Sequence, residues 1–182
     1  MTQRRYYIVS LSMLIIITAA ITSPVSSAAF SGRGVVNVDG AIIDSACAIS
    51  SGSREQTIDM DTVPIGDIIR DGHGTTKSFS VTLIHCELSR PHSNLPDWRH
   101  FQVTFDGDAD GKLFGISGEA KGVALEIADS HGNKAAPGKP LPFGELRPGS
   151  MKLDYTMKLV SNSQVLKSGE YTSAVRFKMD YY

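Results

Sequence analysis

The stretch Asp106-Gly107-Asp108-Ala109-Asp110-Gly111 has the alternating carboxylates of a calcium loop. An EF-hand of that form needs a bidentate glutamate at its twelfth position and a helix on either side. The twelfth position here is Ser117, and the flanking residues alternate as strands do. A solvated hairpin turn is the better account, with a weak surface calcium site as the alternative. The five histidines, His73, His85, His92, His100 and His131, are scattered and lack the i, i+4 spacing of a helical zinc pair. His85 falls on the face that Phe79 and Leu83 share, which predicts a satisfied core residue. No Gly-x-Ser-x-Gly nucleophile elbow and no phosphate-binding glycine loop occurs. These residues predict no enzyme, no metal and no cofactor.

The remaining chemistry belongs to Cys47 and Cys86. Their redox state depends on the compartment, which the first residues indicate. Arg4 and Arg5 precede the apolar run Tyr6–Ile21, and Ser23-Pro24 breaks it before the small residues Ser26, Ser27, Ala28 and Ala29. A positive start, an apolar centre and a small-residue cleavage site predict a signal peptide over residues 1–28, with cleavage after Ala29 as the alternative. A retained membrane anchor is the competing reading, weakened by Ser10, Ser12 and Pro24. In an oxidising compartment two cysteines predict one disulfide. Metal binding would need further ligands nearby, and only His85 is at hand.

Removing residues 1–28 takes away two arginines and no acids, leaving 16 basic against 19 acidic residues, a formal charge of −3. With no basic block, nucleic acid is not an expected partner, and nothing suggests a small-molecule substrate. The remaining length suits one core and is short for two ordinary domains.

The elements that would position these residues have a period of two. Phe79, Val81, Leu83 and His85 alternate with Ser80, Thr82, Ile84 and Cys86, and Phe101, Val103 and Phe105 alternate with Gln102 and Thr104. Val123, Leu125 and Ile127, then Leu153, Tyr155, Met157 and Leu159, and finally Val175, Phe177, Met179 and Tyr181 repeat the pattern. Each predicts a strand with one dry and one wet face. Turn residues separate them at Asp71-Gly72, Asp106-Gly107, Asp110-Gly111, His131-Gly132-Asn133, Pro137-Gly138 and Pro148-Gly149. Short strands without helical crossovers predict an antiparallel sandwich. Leu88–Arg99, with Pro91 and Pro96, reads as a loop in which Trp98 caps the core edge.

The two ends of the mature chain stand out. Gly34, Val36, Val38, Gly40 and Ile42 fall on one face of an extended segment before Cys47. The last strand runs to Tyr182, leaving an apolar edge with nothing beside it, a liability unless something covers it. A spare strand at one end and an uncovered edge at the other suggest exchange between molecules. The competing reading pairs Gly34–Ile42 within its own chain as an ordinary first strand.

The segment Gly40-Ala41-Ile42-Ile43-Asp44-Ser45-Ala46-Cys47 resembles the start of chaperone–usher pilins, and Cys86 sits where their second cysteine sits. Gly169, fourteenth from the end when Tyr182 is counted as the first, and the penultimate aromatic Tyr181 match the family's C-terminal signature. The resemblance covers essentially the whole mature chain. It implies an all-β, incomplete immunoglobulin-like sandwich lacking the seventh strand, with an extension at residues 29–46 and a pilin domain at 47–182. It implies that a periplasmic chaperone fills the groove first, that an outer-membrane usher follows, and that a neighbouring pilin's extension then replaces the chaperone strand. Gly34, Val36, Val38, Gly40 and Ile42 would face the neighbour's groove. Gly169, Val175, Phe177, Met179, Tyr181 and Tyr182 would form the groove edge and the chaperone's recognition site, and basic chaperone residues would hold the Tyr182 carboxylate.

Within the family, Val103-Thr104-Phe105-Asp106-Gly107, Leu153-Asp154-Tyr155-Thr156 and Phe177-Lys178-Met179-Asp180-Tyr181 look nearest to minor subunits that terminate and anchor a pilus. The terminator carries a longer extension than residues 29–46 here, so an ordinary shaft or adaptor pilin is the alternative. A free-standing secreted ligand-binding sandwich is the reading from another class. The pilin reading implies export through the periplasm to the cell-surface fimbrium, or retention at its base in the outer membrane.

Overall fold

A computed structural model describes residues 34–40, 44–90 and 94–182. The chain divides into two units, residues 1–42 and 43–182. Of the first unit, residues 34–40 are described; they form no helix or strand, and Val35, Val36 and Val38 are each 87% exposed. The signal peptide and Ile42 lie outside the described residues.

The second unit is a sandwich of two antiparallel sheets. The first sheet has the order β1 (Ala48–Ile49), β2 (Lys77–Cys86), β10 (Gly149–Ser161), β7 (Val123–Asp129), β5 (Leu113–Phe114) and β4 (Ala109–Asp110). The second has β12 (Val175–Tyr181) beside β3 (His100–Gly107), which also pairs with β8 (Lys139–Pro140) and β9 (Gly144–Glu145). A small ribbon joins β6 (Ser117–Gly118) to β11 (Tyr171–Thr172).

Alternation supplies the core. Val81 and Leu83 of β2, Leu125 and Ile127 of β7, Tyr155 and Met157 of β10, and Phe101, Val103 and Phe105 of β3 are all buried. Rings close the space between sheets: Phe105 meets Tyr155 edge-on at 5.1 Å, and Phe79 stacks on Tyr155 at 5.3 Å. Offset and edge-on pairs of this kind add to the area they bury.

The expected disulfide is formed between Cys47 and Cys86, both buried. His85 departs from its expected place. It is exposed with φ of 51°, and Cys86 takes the inward position. The cause is a bulge: Leu83 pairs with Met151 and Cys86 with Gly149, so β2 carries one residue more than its partner over this span. An extra residue reverses which side faces in. Strand β7 also departs from one-sided burial, since Ala124 and Glu126 are buried as well as their neighbours. Glu126 is 8% exposed and bonded to Lys134 at 2.6 Å, with Lys158 at 3.5 Å, which compensates a carboxylate taken out of water.

Two short helices interrupt the β pattern, α1 (Ser51–Arg54) and α2 (Ile65–Asp71). Asp71-Gly72, expected to be a turn between strands, instead ends α2. Gly72 adopts φ of 77° and its N–H donates to the Ile68 carbonyl at 2.9 Å, a left-handed cap that favours glycine. The carboxylate run forms the β4–β5 hairpin around Gly111. Asp110 accepts from Asn162 at 2.6 Å, and Asp106 faces Arg176 at 4.0 Å.

Candidate strand-binding groove

Strand β12 pairs with β3 along its whole length: Phe177 lies opposite Phe105, Met179 opposite Val103 and Tyr181 opposite Phe101. Among the described residues its other edge has no partner strand. The consequence is visible in burial. Phe101, Val103 and Phe105 are buried, while Val175, Phe177, Met179 and Tyr181, on the same inner face, are only half-buried.

Beside this edge runs a groove of about 1320 Å³. Phe79, Phe105, Leu125, Ile127, Met157 and Leu159 line it from the sheets, so it opens directly onto core side chains. One wall is Tyr171, Val175 and Phe177; the other is Ile49 with the irregular segment carrying Ile58, Met60 and Val63. Fully burying a Val, Leu or Ile side chain contributes about 1.5–3 kcal/mol. The groove therefore offers several such gains to an apolar strand, with backbone hydrogen bonds along β12 in addition.

The end next to α2 has a cluster of its own. Ile68, Val123 and Leu159 are buried there, with Val63, Ile116, Leu166 and Tyr171 packed around them. Burial pushes the Tyr171 hydroxyl above the usual phenol range, and the nearby Asp59 and Asp61 carboxylates add to the shift. Asp61 is itself ion-paired with Lys77. At the far end, burial likewise raises Tyr181, whose hydroxyl donates to the Cys47 carbonyl at 3.4 Å.

The residues expected to form the groove edge are not all alike. Gly169, Val175 and Phe177 line the groove; Met179 and Tyr181 share its face but pack against the core beyond that lining. Tyr182 is 53% exposed, accepts from the backbone N–H of Arg99 at 2.7 Å and of His100 at 2.9 Å, and meets the Phe143 ring at 5.2 Å. Gly169 packs against its own chain. A Cβ there would lie 2.5 Å from the Glu119 Cβ and 2.8 Å from the Ala120 nitrogen. Gly118 mirrors it, with φ of 120° and space for a Cβ only 2.4 Å from the Glu170 carbonyl oxygen. Ile58 and Met60 were not among the expected groove residues, although their alternation with Thr57, Asp59 and Asp61 is a strand-like pattern. Of the expected donor positions, Gly34, Val36, Val38 and Gly40 are described and exposed.

A family model for fimbrial protein matches residues 36–182. The chain belongs to the fimbrial protein family. It is similar to the PRS fimbrial minor pilin protein of Escherichia coli, 35% identical over 150 residues that cover 81% of this chain and 77% of that one. The PAP fimbrial minor pilin protein of Escherichia coli is 36% identical over 144 residues, covering 78% and 74%. Fimbria A protein of Serratia marcescens is 28% identical over 174 residues, covering 93% and 96%. In fold the chain is similar to the P pilus rod subunit PapA, with a TM-score of 0.65 at 18% identity, covering 76% of this chain and all of that one. A subunit in the structure of a chaperone–usher pilus gives 0.66 at 19%, covering 84% and 97%. This fimbrial subunit thus has the immunoglobulin-like pilin fold, and its role is structural, not enzymatic. Other pilus subunits are its partners, and the pilus at the cell surface is its destination.

Proposed function

We propose that this subunit joins its pilus by strand exchange, accepting an outside strand along β12 and donating its own segment Gly34–Ile42. The edge of β12 that has no partner strand among the described residues, beside a groove lined by core residues, carries this reading. A periplasmic chaperone supplies the first strand after export and removal of residues 1–28, an outer-membrane usher receives the complex, and a neighbouring pilin completes the exchange. Burial of apolar side chains and added ladder bonds supply the driving force, so no nucleotide is consumed. Val36, Val38 and Ile42 would fill the neighbour's groove, with Gly34 on the same face and Gly40 where a side chain would clash with the groove floor.

Two observations favour a terminating or anchoring place. Two of the relatives are minor pilins. In addition, Val63 and, from α2, Ile68 line one end of the groove beside Ile116 and Leu166, so an incoming extension would meet a helix there. The alternative is an ordinary shaft or adaptor subunit.

A strand-challenge experiment separates these. The chain is purified with its chaperone, a peptide copying another pilin's N-terminal extension is added, and chaperone release is followed. A terminator holds its chaperone while a rod pilin exchanges alongside; release at the rod pilin's rate indicates a shaft or adaptor. Failure to form any chaperone complex contradicts the strand-exchange reading.

A further inference from the structure

Asp44 opens the described part of the pilin domain, three residues before Cys47. Its carboxylate, on a side chain 69% exposed, accepts from Arg90 Nη2 at 2.5 Å. The Arg90 side chain is only 13% exposed, unusual for an arginine whose partner is so open. The cause is Trp98: the guanidinium lies over the indole, 3.9 Å from its centroid, a cation–π stack that covers the arginine's face. Trp98 in turn meets Tyr181 edge-on at 6.2 Å, and Tyr181 donates to the Cys47 carbonyl. Backbone bonds hold the base, with Trp98 N–H donating to Leu88 at 2.8 Å and Glu87 N–H to Ala46 at 2.9 Å.

We propose that Asp44, Arg90 and Trp98 form a clasp that fixes the start of the pilin domain, the point to which the N-terminal segment is attached, making Arg90 and Asp44 positioning residues for strand donation. The inference rests on the reading of Gly34–Ile42 as a donor strand. An exposed surface pair is worth little because both side chains must be ordered for it. Here the arginine is already immobilised by its stack, so only Asp44 remains to be ordered. A fixed Asp44 gives the segment that precedes it a rigid attachment point. Pre-organisation of that kind favours productive encounter without adding a contact in the final complex. The clasp thereby acts on donation and leaves the groove along β12 as it is.

The test uses the full mature chain bound to its chaperone as donor and a chaperone-bound rod pilin as acceptor, following the two-pilin species over time. Asp44→Asn and Arg90→Lys are compared with the wild type. Asp44→Asn alters an exposed side chain and does not threaten folding; Arg90→Lys keeps the charge and loses the planar fork. Both variants are expected to donate about fivefold more slowly, the scale of a weak stacked ion pair. Their own chaperone release should stay within about twofold of wild type. A free peptide copying residues 31–43, which has no clasp, sets the unpositioned rate per unit concentration. Equal donation by wild type and both variants overturns the clasp and leaves the donor reading standing. A wild-type chain that does not donate, while a rod pilin donates to the same acceptor, overturns the donor reading and the clasp with it.

Discussion

Gly169 and Glu119 approach so closely that a single added carbon at Gly169 would sit 2.5 Å from the Glu119 Cβ. The contact belongs to the ribbon that holds residues 165–172 against residues 117–122. There Glu119 and Ala120 both donate to the Glu170 carbonyl, and Lys121 and Lys167 exchange backbone bonds at 3.1 Å. Gly169 thus has a packing role within its own chain, whatever else it does.

Gly169→Ala is therefore expected to destabilise the subunit by about 1–3 kcal/mol, the cost of overpacking against atoms that cannot easily yield. Urea midpoints of the mature chain measure this directly. An unchanged midpoint, together with weakened chaperone binding, would assign Gly169 to recognition alone.

Phe177 and Arg176 are neighbours on β12: Phe177 is half-buried in the groove, while the Arg176 side chain stands at its rim, 85% exposed. Phe177→Ala should weaken the chaperone complex by about 1–3 kcal/mol, since only part of a buried ring's contribution is at stake. Arg176→Ala should change it by about 0.5 kcal/mol or less. Competition for chaperone between variant and wild-type subunits gives both values.

The disulfide closes a span of 39 residues between β1 and β2. Reduction, or Cys47→Ser with Cys86→Ser, should cost about 3–4 kcal/mol by chain entropy. The periplasmic yield of the double variant should fall. A yield equal to wild type would mean that the core alone holds the pairing of β1 with β2.

Asp129 organises the turn that follows β7. Burial opposes its ionisation, but bonds from the Asn133 side chain and from the Asn133 and His131 backbone outweigh burial and hold the carboxyl below its ordinary range. A carboxyl depressed on folding contributes stability above its unfolded pKa, and that contribution is lost as pH falls through the lower folded value. Stability should thus decline below about pH 4, and Asp129→Asn should remove this part of the decline. Acid unfolding curves of the two proteins compare the slopes; identical slopes would show that the turn does not sense the charge.

Much of this was legible because alternation survives wherever a strand has one face in the core: Phe101, Val103 and Phe105, and Tyr155, Met157 and Leu159, lie where their period places them. Alternation fails where a local insertion changes parity, and nothing in the residues around His85 marks the bulge. It also fails for β7, because an alanine at 124 and a carboxylate at 126 can be buried on the second face once Lys134 and Lys158 are brought near. The helix Ile65–Asp71 was hidden by its length, since seven residues are too few to display a helical period. The groove edge was readable from Val175 and Phe177 on the last strand. Its opposite wall, Ile58 and Met60, belongs to no regular strand, and only the packed domain brings it across from β12.

Strand exchange requires that β12 take its second partner from another molecule. Amide hydrogen exchange across Val175–Tyr181 tests it most directly, comparing the chain bound to its chaperone with the chain just released. The amides not pointing at β3 should exchange quickly in the released chain and become protected in the complex. Equal protection in both states would mean that β12 is already paired within its own chain and takes no strand from another molecule.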